Sequence, residues 1–555
     1  MKINRFALCL LVSIPLLLSG CSLPGFDDKS SQSSFESSSQ ESSESSSSAT
    51  TSSSSTSSST SSSLESSSSE EDTNSKYKIA NPNMDEVIRN SKEEVTYDDL
   101  FNLNNKISIE LTVDREEMEK IADDNSKGPK PEMYRLAKNF KLTMVNGDST
   151  FVWELENVGI RQKGNTSRGP IFYGDTLNTC NHYKIKFDET FTDTEMYDSD
   201  FIATHGNAEY EDREFLGLNG LDFKWDKNYD LTHVKEKYVN DLYRAAGIIT
   251  QHVGLSKVKI NYGASEPADF GLCYIFEQSN KDLIKRSLQS DTSYINMSKW
   301  KVEKDGTYGI EGKKYGDLYK VTYGHGNGSS STGGSMLSDT ISGNKVGVKT
   351  DVYGNNLPAY ERKTNKNETY DDRQLKNTIN LLNKSNCTFE QLEEVIDMDY
   401  LAMEEAVSFI VGNPDSLRNN YNNYQIYIRR TDGKMVIIPI DNDRALGIGR
   451  DWVDGLNFVL RSDNKKPLYK NTISGEQRNP LMLKTILANS SNQAQEDYLA
   501  CIDLIKASSW VKEESFNLYY NAAKKTYSDE YEFNAENPGY DNISFLEAIN
   551  KERKH

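Results

Sequence analysis

The chain has 555 residues, a formal net charge of −20, 36% hydrophobic residues and 27% charged residues. The balance of 84 Asp and Glu against 64 Lys and Arg argues against general nucleic-acid binding, which needs a basic surface. Residues 31–70 include 26 serines, and such a run has too little apolar surface to offset the entropy cost of ordering. We therefore expect this run to be disordered. The roughly 480 residues after position 75 are enough for one large domain or two smaller ones.

The N-terminus has the features of an export signal. Two basic residues precede a short apolar stretch, Phe6–Leu18, which is too short for an ordinary membrane span. The stretch ends in Leu18-Ser19-Gly20-Cys21, which resembles a bacterial lipobox with cleavage before Cys21 and lipid on its thiol. A plain secretion signal or an uncleaved anchor is the alternative. We expect a lipoprotein signal peptide over 1–20 and a lipidated, Ser-rich tether over 21–75.

These features predict a protein that is lipid-anchored on the extracytoplasmic face of the cell membrane. The composition, rich in Ser, Asn, Tyr and Lys, together with the lipobox is typical of a Gram-positive bacterium. The body that follows the tether is expected to comprise a polar lead-in over 76–105, one domain over 106–530, and a tail with a short helix over 531–555.

The cysteines and histidines give no sign of a metal site. The four cysteines of the body are widely scattered and form no CxxC pair: Cys180, Cys273, Cys387 and Cys501. We expect free thiols, although export leaves one or two disulfides open. The six histidines form no HExxH or similar cluster, which argues against a zinc hydrolase.

The first half of the body is predicted to be rich in β-strands. Alternation of polar and apolar residues is typical of half-buried strands. Such strands are predicted over 106–113, 140–145, 149–155, 158–163, 182–187, 253–262 and 270–276. Asn146-Gly147-Asp148 predicts a hairpin turn. Helices are predicted weakly around Met84–Arg89, over Arg115–Ala122, and over Leu231–Ala246 with Gly247 as its stop.

Helices are predicted to dominate the second half, after a candidate boundary near 280–320 and a Gly/Ser-rich loop over 324–345. They are expected over 374–382, 389–395, 400–410, 480–525 and 543–553. Two strands, 424–428 and 434–439, interrupt them and are joined by a turn at Asp432-Gly433. The fold class expected is therefore α+β, with a β-rich lobe followed by a mainly helical lobe.

Acidic and amide residues gather around this second pair of strands. Asp415 and Asn420 have the D-x-x-x-x-N spacing of protein kinase catalytic loops, and Asp441 and Asp443 follow an apolar strand. A carboxylate can orient an attacking hydroxyl, and Asp with Asn can hold Mg²⁺ between phosphate oxygens. Helix capping and turn formation are the alternative roles for these residues.

Basic residues gather on the predicted strands of the first half. The turn after Arg161-Gln162-Lys163-Gly164-Asn165 combines backbone donors with cations, which suits a phosphate, although a hairpin turn with solvated cations is the alternative. Lys184 and Lys186 lie on one face of a predicted strand, because side chains alternate along a strand. In kinases, a lysine from a strand reaches the phosphates of ATP. Solvent-facing lysines are the alternative there. Glu236 or Glu277 could pair with such a lysine.

Several motifs, in the same order, resemble those of the spore-coat protein H (CotH) kinase family. The matching stretches cover roughly 105–525 and are RQKGNTSR (161–168), HYKIKF (182–187), residues 221–247, FGLCYIFEQSN (270–280), GDLYK (316–320), YERKTN (360–365), GNPDSLRNNYNNYQIYI (412–428) and IPIDNDRALG (438–447). Lys163 and Ile440 stand where the family usually has Arg and Trp.

The resemblance implies an atypical protein-kinase-like fold of two lobes that uses ATP and Mg²⁺ to phosphorylate Ser or Thr of a protein. It makes Asp441 the expected Mg²⁺ ligand, with Asp443 and either Asn423 or Asn420, and Asp415 the base. Lys186 or Lys184 would hold the ATP phosphates, which Arg161, Lys163, Gly164 and Asn165 would cover. Glu277 would lie near the adenine. The Ser-rich tether itself is a candidate acceptor.

Two other functions remain open at this point. A non-catalytic surface module that binds wall polymer or protein would suit an extracytoplasmic location, where ATP is scarce, and the 31 tyrosines of the chain. A carboxylate-based glycosidase is the other alternative, but no spacing in the sequence defines the required pair of acids.

Overall fold

A computed structural model describes most of the chain from Lys76 to Phe533, and these residues belong to one compact unit, Asp72–His555. The described ranges are 76–84, 86–127, 133–164, 168–225, 230–289, 316–322, 324–326, 332–333, 337, 341–342, 345–346, 348–350, 356–365, 372–413, 415–418, 421–430, 432–446, 479–488 and 490–533. The predicted signal peptide, the tether with Cys21, Asn165, Asn420 and the helix over 543–553 lie outside them.

Seven strands close into a barrel in the order β1-β2-β3-β6-β7-β9-β8. Its strands are β1 (Lys106–Thr112), β2 (Arg135–Asn146), β3 (Ser149–Lys163), β6 (His182–Lys186), β7 (Gly220–Trp225), β8 (Val253–Asn261) and β9 (Ala268–Glu277). The pair β4 (Phe172–Tyr173) and β5 (Thr176–Leu177) lies between β3 and β6. Neighbouring strands of the barrel are antiparallel except β1 and β8, which are parallel.

The alternation in the sequence determines which side chains fill the barrel. Apolar side chains such as Ile160, Tyr183, Ile185 and Phe223 are buried together in its interior. The residues between them on each strand point to the outer face, because side chains alternate along a strand. The outer face of β3, β6 and β7 therefore carries the charged residues of these strands.

The two strands predicted over 149–155 and 158–163 form one continuous strand, β3. The reason is the length of β2, which pairs with β3 from Asn146 opposite Ser149 to Arg135 opposite Ile160. The turn at Asn146-Gly147-Asp148 joins them as predicted, with Gly147 at a φ of 57°.

The helices of this first region are α1 (Arg115–Lys127), α2 (Ser199–His205), α3 (Lys235–Ala245) and α4 (Lys281–Gln289), and 3-10 turns span Tyr97–Phe101 and Ala208–Tyr210. Helix α3 starts later than predicted, because the buried carboxylate of Asp230 organises the preceding turn. It accepts hydrogen bonds from the amides of Thr232 and Lys235, at 2.9 and 2.8 Å.

The second region combines a small sheet with helices. The sheet has the order β17-β10-β18-β19, formed by β10 (Asp317–Val321), β17 (Tyr360–Arg362), β18 (Tyr424–Ile428) and β19 (Met435–Pro439). Six short strands lie within or near the predicted Gly/Ser loop: β11 (Gly324–Gly326), β12 (Thr332–Gly333), β13 (Ile341–Ser342), β14 (Lys345–Val346), β15 (Val348–Thr350) and β16 (Asn356–Pro358).

The helices of this region are α5 (Arg373–Asn383), α6 (Phe389–Glu393), α7 (Met398–Val411), α8 (Pro480–Lys484), α9 (Gln493–Ala507) and α10 (Glu513–Tyr527), with a 3-10 turn over Ser509–Val511. Asp397 caps the start of α7 by accepting from the amide of Tyr400 at 3.1 Å, and Gly412 ends it at a φ of 64°. The prediction of a β-rich part followed by later helices is thus confirmed.

The weak helix predicted around Met84–Arg89 is wrong, since the described residues there form no helical turn. Their backbone is bound by the tip of the β2–β3 hairpin instead. The Asn146 side chain donates to the carbonyl of Val87 at 2.8 Å and accepts from the amide of Arg89 at 2.6 Å.

One hydrophobic core joins α3, the outer surface of β8 and β9, and the helices of the second region. The C-terminal helix α10 closes it against the barrel, where the Tyr527 hydroxyl donates to the carbonyl of Leu255 at 2.9 Å. Across the described ranges, no helix is both long and apolar enough to cross a membrane.

Candidate functional site

Strand β7 carries two charged side chains on its outer face, Asp222 and Lys224, with only 2% and 5% of their surfaces exposed. Ionised groups this buried are expected to be paired. Each residue is the centre of a cluster of opposite charge, and we refer to them as the basic cluster and the acidic cluster. The ring of Phe276 lies beside both, 5.6 Å from the ammonium of Lys163 and 5.5 Å from that of Lys224.

The basic cluster surrounds the carboxylate of Asp222. Lys163 on β3 and Lys184 on β6 place their ammonium groups 2.8 and 3.5 Å from its Oδ2. The amide of Gln278 donates to Oδ1 at 2.9 Å. Arg161 lies opposite Lys184 in the β3–β6 ladder. The single carboxylate of Asp222 therefore lies among several cations.

Electrostatics within the basic cluster favour a further anion. Burial lowers the pKa of Lys184 to about 8; Asp222 opposes this shift, while the positive charges of Lys163, Arg161 and Lys363 reinforce it. Burial alone would raise the pKa of Asp222, but Lys163, Lys184 and Arg161 hold it below its ordinary value. The cluster has an excess of positive charge, and an anionic ligand would relieve the repulsion among its cations.

Lys363 belongs to the second region, just after β17. Its backbone amide donates to the carbonyl of Leu318 on β10 at 2.7 Å, and its side chain pairs with Glu361. Its charge also contributes to the lowered pKa of Lys184, so the second region adds to the positive potential at the basic cluster.

The acidic cluster surrounds the ammonium of Lys224. Its Nζ lies 3.2 Å from Glu236 Oε2 on α3 and 2.9 Å from Asp443 Oδ2, and it also pairs with Asp441. Asp441 and Asp443 follow β19, so this cluster connects the barrel to the second region. Three carboxylates share one lysine.

The pKa values within the acidic cluster follow from the excess of carboxylates over cations. Burial by itself lowers the pKa of Lys224, but Asp441, Asp443 and Glu236 outweigh it and hold the pKa well above its ordinary value. Burial and the neighbouring aspartates raise the pKa of Glu236. Burial also raises the pKa of Asp443, whereas the pairing with Lys224 overcomes burial and lowers that of Asp441.

The β18–β19 hairpin brings the predicted Asp and Asn residues together. Asn423 immediately precedes β18, and Asp441 follows β19 with one residue between them, so antiparallel pairing puts Asn423 and Asp441 at the same end of the hairpin. The amide of Ile440 donates to the carbonyl of Asn423 at 3.0 Å. Both Asn423 and Asp441 have left-handed backbones, with φ of 52° and 58°. Such conformations cost free energy for residues with a side chain and are frequent at functional sites.

Asp415 lies at this same end of the hairpin. The side-chain amides of Asn422 and Asn423 donate to its two carboxylate oxygens at 3.2 and 3.0 Å. The Asn413 side chain accepts from the amide of Asp415 at 2.9 Å. Two of the predicted site residues, Asp415 and Asn423, therefore lie within hydrogen-bond distance of each other, while Asn420 lies outside the described residues.

A chain of buried amides connects the hairpin to helix α3. Asn442, between the two aspartates, donates to Asn240 Oδ1 at 2.6 Å and accepts from Asn413 Nδ2 at 3.3 Å. Asn240 lies one turn after Glu236 on α3. The positions of Asp441, Asp443 and Glu236 are therefore coupled through this chain as well as through Lys224.

Two of the predicted binding residues lie outside both clusters. Lys186 pairs with Glu189 at 3.0 Å and lines an open cavity of about 420 Å³ with Asp188, Thr190 and Lys281. A third predicted residue, Gly164, directly follows β3 and Lys163, with a φ of 105°.

The other residue outside the clusters is Glu277, whose carboxylate is fully buried. It accepts from Arg286 Nε at 2.6 Å and from the Tyr97 hydroxyl at 2.7 Å, and it contacts His252. These partners lower the pKa of Glu277 to about 2 despite burial. Its carboxylate therefore does not pair with Lys184 or Lys186.

The sequence interpretation missed Asp222, Lys224 and Lys363 as members of the site. A signal for the first two was present, because two charged residues alternate with apolar ones in the strand Gly220–Trp225. Glu236 was considered as a partner for Lys184 or Lys186, but its partner is Lys224.

A divalent cation fits the residues at the end of the hairpin. In the described ranges no group of three His, Cys, Asp or Glu side chains could hold a metal ion by itself. Mg²⁺, however, is typically bound by one or two carboxylates together with substrate phosphates. The carboxylates of Asp441 and Asp443, with the amide oxygen of Asn423, constitute such a partial set of oxygen donors.

Comparison with known families gives one match. A family profile described as CotH kinase protein matches residues 181–503, which is more than half of the chain. The match includes β6, β7, α3 and the β18–β19 hairpin, while Arg161 and Lys163 precede it. No curated protein matches the chain. A match of this extent establishes the family, and the chain belongs to the CotH kinase family.

Proposed function

We propose that this protein is an atypical protein kinase that transfers the γ-phosphoryl group of ATP to Ser or Thr of a protein acceptor, with Mg²⁺. Membership of the CotH kinase family implies kinase activity and the use of ATP. The observation that carries the more specific proposal is the pair of opposite clusters on β7. A metal-bound triphosphate presents both negative oxygens and a cation, and the two clusters lie side by side.

Each cluster has a separate task in this proposal. Lys163, Lys184 and Arg161, with Lys363 from the second region, bind phosphate oxygens and position the triphosphate. Asp441, Asp443 and Asn423 hold Mg²⁺, which supplies neutralisation of the charge that develops on the phosphoryl oxygens. Lys224 keeps the two aspartates and Glu236 together before the ligand arrives.

Asp415 is the proposed base, which orients the acceptor hydroxyl and takes its proton. Hydrogen bonds from Asn422 and Asn423 fix the orientation of its carboxylate. This arrangement suits a group that must face a hydroxyl in line with the phosphoryl group, because phosphoryl transfer depends mainly on positioning and electrostatics.

The proposed acceptor is a Ser-rich protein segment, and residues 31–70 of the chain itself provide one at high local concentration. The proposed location is the extracytoplasmic face of the cell membrane, through lipid on Cys21. Labelling of cells with a radioactive fatty acid tests the anchor: the wild-type protein is expected to incorporate label and Cys21→Ser to incorporate none. Equal labelling would contradict the anchor.

The test of the kinase proposal is transfer of radioactive phosphate from ATP, in the wild type against Asp441→Ala. Loss of one charged group at the transferring phosphoryl is expected to reduce transfer about 10²–10³-fold. Asp148→Ala, in the exposed β2–β3 turn, is the control and should transfer at the wild-type rate. Equal labelling by Asp441→Ala and the wild type would contradict the proposed site.

The same experiment addresses the acceptor and the main alternative. Mass spectrometry is expected to find phosphoserine within residues 31–70 after incubation with ATP, and an unmodified tether would remove it as an acceptor. A protein that shows no Mg-dependent binding of ATP would instead be a non-catalytic binding module on the same fold.

A further inference from the structure

A third buried group of charges involves the proposed catalytic loop between α7 and β18, of which residues 413, 415–418 and 421–423 are described. Arg418 belongs to this loop and is only 1% exposed. Its Nη1 donates to Glu405 Oε2 on α7 at 2.8 Å, and its Nη2 donates to the Tyr498 hydroxyl on α9 at 3.0 Å. The guanidinium also lies over the ring of Phe409, 5.2 Å from its centroid. Arg418 therefore connects the loop to two helices.

The ion pair between Arg418 and Glu405 adds little to the stability of the fold, because burying both charges costs desolvation free energy. Both Arg418 and Glu405 are buried, and burial raises the pKa of Glu405 although Arg418 opposes the shift. Replacing a buried ion pair by apolar side chains often leaves stability unchanged or increases it. A role in positioning would explain why charges occupy this place, since a guanidinium fixes both distance and direction through its donors.

The group that Arg418 can position is Asp415, three residues earlier in the loop. The carboxylate of Asp415 is oriented by Asn422 and Asn423, which lie in the same loop beyond Arg418. The amide of Asn422 donates to the carbonyl of Ser416 at 3.3 Å, so the residues that orient Asp415 also contact the described stretch 415–418. Asp415 and Arg418 lie in one continuous described stretch of four residues, so the contacts of Arg418 with α7 and α9 restrict where Asp415 can lie.

We propose that Arg418 is a positioning residue that holds the loop, and with it Asp415, at the correct distance from the phosphoryl group. The inference rests on the proposed function, because Asp415 is the base there. Arg418 does not contact the substrate in this proposal. It acts through the placement of Asp415, where an error of about 1 Å can reduce the rate about 10²-fold.

The test compares Arg418→Leu with the double variant Arg418→Leu/Glu405→Leu. The single variant leaves a buried carboxylate without its guanidinium and is expected to lower both the thermal midpoint and kcat. The double variant removes both charges, so the midpoint should return to near the wild-type value. Its kcat should remain about 100-fold low, with the KM for ATP within about threefold of wild type.

The matched control is Arg429→Leu/Asp397→Asn. Arg429 is also fully buried and lies 2.5 Å from Asp397, but at the opposite end of the hairpin. Asn retains the capping of α7 by residue 397. This variant should keep kcat within about threefold of the wild-type value, because the contacts of Asp415 with Asn422 and Asn423 are undisturbed.

A double-mutant cycle identifies the residue through which Arg418 acts. In the background of Asp415→Asn, the Arg418→Leu/Glu405→Leu change should cost almost nothing further in kcat, because the group it positions is already inactive. Fully additive losses would overturn the proposal, as would recovery of wild-type kcat together with the midpoint in the double variant. Absence of any transfer by the wild type would overturn the proposed function and this inference with it.

Discussion

The basic and acidic clusters are mirror images in charge, although Asp222 and Lys224 are only two residues apart on β7. In the first, one buried carboxylate lies among Lys163, Lys184 and Arg161, whereas in the second one buried ammonium lies among Asp441, Asp443 and Glu236. The side chains of residues i and i+2 share a face about 7 Å apart. The strand therefore places a site for anions next to a site for cations.

The clusters differ in the region of the molecule that supplies the charges around the central residue. The cations come mostly from the barrel strands β3 and β6, whereas Asp441 and Asp443 come from the hairpin of the second region. A ligand with both charges would hold the two regions together. The central residue of each cluster would then act as a substitute for part of the ligand. The carboxylate of Asp222 would replace a phosphate, and the ammonium of Lys224 would replace a metal ion.

Removing the substitute cation should have the largest effect. Lys224→Met leaves three carboxylates without a cation, so the free energy of unfolding should fall by about 3–5 kcal/mol without divalent metal. Mg²⁺ should restore much of this loss, because it no longer competes with a lysine. Thermal unfolding with and without Mg²⁺ measures both effects.

Lys237→Met is the control for that experiment. Lys237 is a buried lysine of α3 that pairs with Asp241 at 2.9 Å, and neither residue belongs to the two clusters. Its variant should lose stability to a similar degree but gain nothing extra from Mg²⁺. An equal gain from Mg²⁺ in Lys224→Met and in the wild type would contradict the role of Lys224 as a substitute cation.

Removing the substitute anion, Asp222, should have a smaller effect, which is an increase in the affinity for ATP. Asp222→Asn leaves Lys163 and Lys184 with less compensation, so ATP should bind about tenfold more tightly in the absence of Mg²⁺. Calorimetric titration measures this change. Asp188→Asn, next to Lys186 in the open cavity, should leave the affinity unchanged. Weaker binding by Asp222→Asn would show that Asp222 does not compete with phosphate.

The smallest effect is the dependence of ATP affinity on pH. Lys184 is charged below its pKa of about 8 and neutral above it, so affinity should be constant below pH 8 and fall by at most tenfold per unit above it. Lys184→Arg should remove the decline, since Arg stays charged. Lys186→Arg should retain it. A decline that is unchanged in Lys184→Arg would assign the titration to another group.

The order of elements and the residues at strand ends were largely accessible from the sequence. Asp441 and Asp443 follow an apolar strand, and the turn at Asp432-Gly433 predicts which strand precedes them. Lys224 was not accessible in this way, since its partner Asp441 lies 217 positions away. No local spacing encodes such a contact.

The choice between Lys184 and Lys186 shows the same limit in one strand. Both side chains lie on the outer face, but the β6–β7 register places Lys184 opposite Asp222 and Lys186 opposite Gly220. Only Lys184 therefore has a carboxylate across the strand. Register depends on pairing between distant segments, so alternation alone could not distinguish the two lysines.

The central proposal is that both clusters bind one metal-bound nucleotide. Calorimetric titration of ATP into the wild-type protein, with saturating Mg²⁺ and with a chelator, tests it directly. ATP should bind at least tenfold more tightly with Mg²⁺ than with the chelator. Asp441→Asn should abolish this difference, while Lys184→Ala should weaken binding under both conditions. Equal affinity with and without Mg²⁺ in the wild type would contradict it.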